Sequence, residues 1–288
     1  MKPGLVIVGH GTKHDDGVAE FTELVELVAK LADVDVAGGF LELSSPPMTD
    51  AVAGLYDRGH RRLVAVPLVL VGAGHAKGDV PAALARERLR REGLSFGYGR
   101  PLGPHPALLE LLDERIAEVL DDEERAATAI VLVGRGASDP DANADVAKTA
   151  RLLQEGRGFL TVETSFVSLA EPGVPAALDR ARLLGARRVV VSPFFLFSGV
   201  LPDRVVAQSH AWADGHPQVE VRTAGVLGPE EPLARLVLER YDEVLAGDVR
   251  MSCDTCIYRI AMPGYEAKVG APQVPHDHPD DPAHHHHH

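Results

Sequence analysis

The sequence predicts an α/β protein of two tandem, doubly wound parallel-sheet domains followed by a mostly irregular tail. Three observations predict it. Short β-branched runs alternate with stretches of helical periodicity, and the connections between them are short. The alternation also occurs twice. LVIVGHG at 5–11 returns as IVLVGRG at 130–136, 125 residues on, and LGP at 102–104 returns at 227–229 with the same offset. FLELSSPPM at 40–48 matches FVSLAEPGV at 166–174, and GHRRLVAVPLVL at 59–70 matches GARRVVVSPFFL at 185–196, both 126 residues on. Four blocks in one order at spacings of 125 or 126 describe a duplication, with repeats at 1–124 and 125–250 and a tail at 251–288.

The elements follow in order. LVIVG is a buried parallel strand. Residues 15–32 form a helix whose stripe is Val18, Phe21, Leu24, Val25, Val28 and Ala32. A second strand lies near 34–41, and a helix starts at the Ser-Ser-Pro-Pro turn. RRLVAVPLVL is the third strand, 79–92 is helical, a weaker strand spans 95–100, and 105–120 is helical. The second repeat places strands near 129–134, 161–167, 188–196 and 219–224, and a last helix near 231–246. Asp79, before PAALARERLR, reads as a helix N-cap with a counterpart in Asp203.

Composition excludes several classes. Acidic residues outnumber basic ones 42 to 29 over 288 residues, a net charge of −13, which argues against a nucleic-acid or anionic-membrane binder. No apolar run reaches the ~18 residues a membrane span needs. MKPGLVIVGHGT reads as a first strand and not as a signal peptide, so the expected compartment is the reducing cytoplasm. Two cysteines make no disulfide framework.

Ligands of such sheets sit beyond the carboxyl ends of the strands. There the first repeat carries His10 in Gly-His-Gly-Thr, Glu42 after the second strand, and His75 in Gly-Ala-Gly-His. Two imidazoles and a carboxylate suit a divalent cobalt, iron, nickel or zinc ion. The second repeat has Arg135, Ser168 and Val200 at these places. Structural residues would persist in both copies, so the three differences point to chemistry confined to the first. Arg135 is either a cation for an acidic ligand or a structural partner of Asp139 or Asp141. Lys13, Lys77 and Arg204 are further basic residues near strand ends. His14, His60, His105, His210 and His216 read as helix-start or surface residues.

GHGT, FLEL and VPLVLVGAGHAKGDVP together resemble the class II tetrapyrrole chelatases, which insert cobalt or iron into sirohydrochlorin in cobalamin or sirohaem synthesis. The resemblance covers about 250 residues, and MSCDTCIYR resembles the Met-x-Cys-x-x-Cys element of the family's long forms with a histidine-rich region. It implies two flavodoxin-like domains with the site in the cleft between them, and a lyase acting on sirohydrochlorin. It makes His10, Glu42 and His75 the metal site and the catalytic group. Arg135 and Lys77 are then candidates for binding the carboxylate-rich substrate. It also implies an iron–sulfur cluster at Cys253 and Cys256. Two thiolates per chain are too few for an all-cysteine cluster, so a homodimer bridged by it is the simplest completion. His276, His278 and the run His284 to His288 are either a native metal-collecting tract or a tag.

Two other readings compete. A noncatalytic metal-storage or metal-delivery protein would use the histidine tail, but would not need a duplicated fold with one asymmetric ligand set. A phosphoryl-transfer enzyme using His10 lacks the arginine before it, since residue 9 is glycine.

Overall fold

A computed structural model of the chain describes residues 2–249, Tyr258 and residues 266–271. Cys253, Cys256, His276, His278 and His284 to His288 lie outside the described residues, and with them the expected cluster and histidine tract.

β1 (Gly4–Gly9), β2 (Val36–Phe40), β3 (Arg62–Pro67) and β4 (Ser95–Tyr98) form a parallel sheet in the order β2-β1-β3-β4. β5 (Thr128–Gly134), β6 (Thr161–Phe166), β7 (Arg188–Pro193) and β8 (Glu220–Thr223) form a second, ordered β6-β5-β7-β8. Each order steps outward from its first strand in both directions. The connections leaving β1 and β3 therefore diverge and open a crevice at their carboxyl ends. Gly9 pairs with Phe40 and Val8 with Pro67, so β1, β2 and β3 end level.

The helices are α1 (Asp15–Leu31), α2 (Met48–Asp57), α3 (Val80–Arg90), α4 (Pro106–Ala117), α5 (Pro140–Gln154), α6 (Val174–Leu183), α7 (Val200–Asp214) and α8 (Glu231–Ala246). β1 and β5 are buried along their whole length, as strands covered on both faces must be. On one face of the first sheet, Val6, Val8, Leu63 and Ala65 pack against Met48, Val52 and Leu55 of α2 and Val80 and Leu84 of α3. On the other face glycines admit a close helix. A Cβ on Gly9 would press on the Phe21 ring of α1, and one on Gly97 would overlap Val244 of α8. In the second sheet Val131, Val133, Val189 and Val191 pack against Leu178 of α6 and Val205 and Trp212 of α7.

The compact units differ from the sequence halves at 1–124 and 125–250. One unit holds Met1–Lys13, Phe21–Leu102 and the residues from Ala234 onward; the other holds His14–Glu20 and Gly103–Leu233. Each repeat thus gives its last helix, α4 or α8, to the other unit. Two arginines, one half-buried and one buried, show why. Arg240 of α8, fully buried, donates to the carbonyls of Pro101 and Leu102 at 3.2 and 2.8 Å. Arg115 of α4 donates to the carbonyls of Val226 and Leu227, both at 3.1 Å. The helical stripe of α4 or α8 tells that one face is buried, not which sheet buries it.

Candidate functional site

The first repeat builds its site from three strand ends. His10 and Glu42 follow β1 and β2, and Glu42 N–H donates to the His10 carbonyl at 3.1 Å, extending the pairing past the strands. Gly11 has φ 111°, and a Cβ there would overlap the Glu42 carbonyl oxygen. Only glycine permits that turn and that approach together. The second repeat has the same cradle. Gly136 has φ 86° and lies against the Ser168 carbonyl, and Ser168 N–H donates to the Arg135 carbonyl at 3.0 Å. Leu43 and Leu169, one residue further on, take φ of 64° and 59°, a left-handed conformation that costs a leucine about 1 kcal/mol or more. The backbone of the site is therefore common to both copies, and the side chains it displays are not.

In the first copy the three predicted side chains come together. His10 Nε2 lies 3.4 Å from Glu42 Oε1. The His10 and His75 rings are 4.2 Å apart at their centroids, tilted by 31°. Ser44 ties the loops below them: its Oγ accepts from Thr12 N–H at 2.8 Å and donates to the Thr12 carbonyl at 2.5 Å. Glu42 is the most enclosed of the three, with 12% of its side chain exposed against 29% for His10 and 23% for His75. The donor atoms do not converge as they stand. Among the described residues no group of three or more His, Cys, Asp or Glu is arranged to hold a metal ion.

His75 opens a single π-helical turn, His75–Asp79, ahead of α3. This corrects two expectations. The helix begins four residues before Asp79, and Asp79 makes no cap: it has helical backbone angles and no side-chain capping bond. Its carboxylate instead meets His75, with Nδ1 2.7 Å from Oδ2. The turn is braced from β4. Val80 N–H bonds the His75 carbonyl five residues back, as a π turn requires. The matching donor for the Ala76 carbonyl would be residue 81, a proline without an N–H. The Tyr98 hydroxyl takes that place, donating to the Ala76 carbonyl at 2.7 Å. Burial pushes the Tyr98 phenol far above its usual range, so it keeps the proton it donates.

The basic candidates divide. Lys77 sits half-buried on the π turn, two residues past His75. Arg135 is exposed just beyond β5, ahead of Asp139 and Asp141. Those carboxylates are buried, and Asp139 caps α5 by accepting from Asp141 N–H at 3.1 Å. Lys13 and Arg204 are exposed. His105 caps α4 through Nδ1, which accepts from Ala107 N–H at 3.2 Å. His60 is not a surface residue: it is 5% exposed and lies 2.7 Å from Asp35 Oδ2. His216 stacks on Trp212 with centroids 3.9 Å apart, and His14 lies 3.7 Å from Asp203 Oδ2. No helix among the described residues is long and apolar enough to cross a membrane.

The chain is similar to known proteins over most of its length. A sirohydrochlorin cobaltochelatase of Priestia megaterium is 36% identical over 261 residues, covering 90% of this chain and 85% of that one. A sirohydrochlorin ferrochelatase of the same organism is 29% identical over 243 residues, covering 84% and 90%. The structure of SirB from Bacillus subtilis with Fe3+ superposes with a TM-score of 0.77 at 25% identity, over 86% of this chain and 99% of that one. The CbiX family model matches twice, at residues 4–119 and 129–244, so this chain belongs to the CbiX family and carries two copies of its fold.

Proposed function

We propose that this protein is a sirohydrochlorin chelatase, a lyase that inserts Fe2+ or Co2+ into sirohydrochlorin for sirohaem or cobalamin synthesis in the cytoplasm. The observation that carries the reading is the meeting of His10, Glu42 and His75 on a backbone cradle that the second copy keeps without them. The near full-length likeness to the Priestia cobaltochelatase supports it.

Insertion asks three things of the protein. The ion must be held without being kept. Two imidazoles and one carboxylate would leave positions open for the first pyrrole nitrogens and, binding less firmly than thiolates, would give way as the four nitrogens take the ion. Two pyrrole N–H protons must leave, and the Glu42 carboxylate and the two imidazoles are acceptors within reach of the ion. The substrate's carboxylates need cations, and Arg135 and Lys77 are assigned to them. The iron–sulfur cluster expected at Cys253 and Cys256, and the homodimer it would bridge, take no part in these steps.

The test is anaerobic mixing of purified protein with sirohydrochlorin and Co2+ or Fe2+, followed by the absorbance change of metallation. Insertion well above the protein-free rate is expected. Metal binding with no acceleration of insertion would favour the storage or delivery reading.

A further inference from the structure

The repeats keep one spacing through this helix but differ in how they enter it: Gly74 and Gly199, and then the buried Val80, Leu84 and Glu87 of α3 and Val205, Ser209 and Trp212 of α7, stand 125 residues apart. The second copy enters α7 at Val200 as an ordinary α-helix. The first makes the π turn His75–Asp79 instead. Such turns concentrate at functional sites. Here the turn brings Asp79 back onto the side chain that opens it.

We propose that Asp79 is the positioning residue of His75, brought to it by the π turn, and that it fixes which imidazole nitrogen faces the incoming metal. The inference rests on the chelatase reading above. The Asp79 carboxylate, with 12% of its side chain exposed, accepts from His75 Nδ1–H at 2.7 Å. The proton on Nδ1 leaves Nε2 with its lone pair, the form a metal requires. The bond also stops the ring from turning about its own axis. Partners of this kind contribute about 10–100-fold to metal affinity.

The brace from β4 belongs to the same device. Tyr98 donates to the Ala76 carbonyl that proline leaves unmatched. Its repeat equivalent 125 residues on is Thr223, whose buried hydroxyl has no hydrogen-bond partner among the described residues. There the second copy enters α7 at Val200 and has neither a π turn to brace nor a histidine to aim among the described residues.

The experiment compares wild type with Asp79→Ala and Asp79→Asn in the full chain. Co2+ binding is read from its visible absorption without substrate. KM for Co2+ and for sirohydrochlorin are measured separately. Asp79→Ala should weaken Co2+ binding and raise its KM about 10–100-fold, leaving KM for sirohydrochlorin within twofold. Asp79→Asn keeps shape and volume, so folding is preserved. Its amide can accept from Nδ1–H in one orientation, and an intermediate loss is expected. Folded variants, by circular dichroism, that bind Co2+ within twofold of wild type would overturn the inference, as would equal losses for both substrates. Should Asp79→Ala not fold, the same readings on Asp79→Asn decide. A wild type that binds no Co2+ and inserts none would instead sink the chelatase reading itself.

Discussion

Arg115 and Arg240 stand 125 residues apart and make the same pair of hydrogen bonds in opposite directions. Arg115 of the first repeat holds the carbonyls of Val226 and Leu227, and Arg240 of the second holds those of Pro101 and Leu102, the equivalent residues one repeat away. Each also meets acidic partners. Arg115 pairs with Glu118 and Glu230, and Arg240 with Glu239 and Glu243, each at 2.7–2.8 Å for the latter two. The repeats are therefore laced by exchange of their last helices.

Cutting the gene between residues 124 and 125 should accordingly yield no stable monomer. The first fragment would lose α8 from the sheet that needs it and carry α4 without its partner. Size-exclusion chromatography with light scattering should find exchanged dimers or aggregates. A monomer of residues 1–124 that unfolds cooperatively would contradict the exchange.

Glu243 closes the cluster on α8. Arg100 donates to it twice, at 2.9 and 2.7 Å, and Arg240 once, at 2.7 Å. The Arg100 hydrogen bond, set against partial desolvation, holds its carboxyl below the ordinary value of 4.5. A depressed folded value stabilises at pH above the unfolded value and is lost as pH falls through the folded one. Glu243→Gln should therefore cost about 3 kcal/mol at pH 7, since it leaves a buried arginine under-paired. The gap to wild type should narrow below about pH 4. Urea unfolding at pH 7 and pH 3 reads it, and a gap independent of pH would refute the assignment.

Gly11→Ala and Gly136→Ala form a matched pair. Each puts a Cβ into the carbonyl of the following loop at a positive φ, so each should cost about 3 kcal/mol in urea unfolding. Only Gly11→Ala also displaces Glu42. Its insertion rate should fall further than its folded fraction explains, while Gly136→Ala should track its folded fraction. Equal activity per folded molecule in the two would separate the cradle from the chemistry.

Most of the site was legible because a parallel sheet brings all its carboxyl ends to one edge. Strand boundaries alone put His10, Glu42 and His75 there, and the second repeat, reading Arg135, Ser168 and Val200, marked them as chemical. Asp79 was not legible as a partner of His75, because an aspartate ahead of Pro-Ala-Ala-Leu has the pattern of a cap. The signal that could have found it is the four-residue spacing from His75 to Asp79, one helical turn. His60 read as surface because its acceptor, Asp35, lies 25 residues away. The exchange of α4 and α8 was hidden for the reason that helical periodicity names a face and not its partner.

Arg135 stands where the first repeat has His10 and is exposed. Arg135→Ala should raise KM for sirohydrochlorin about tenfold, the loss of one charge-assisted contact, with kcat nearly unchanged because the contact acts equally before and during insertion. Steady-state kinetics at saturating Co2+ reads it. An unchanged KM in a folded variant would remove Arg135 from the substrate site.

The central claim is that metal insertion belongs to the first repeat's histidines. It is tested most directly by the initial rate of anaerobic Co2+ insertion at limiting metal, in His10→Ala and His75→Ala, with folding checked by circular dichroism. Both variants should keep the wild-type fold and lose at least about 100-fold in rate, as expected when a metal ligand is deleted. Folded variants inserting Co2+ at near wild-type rates would contradict the account.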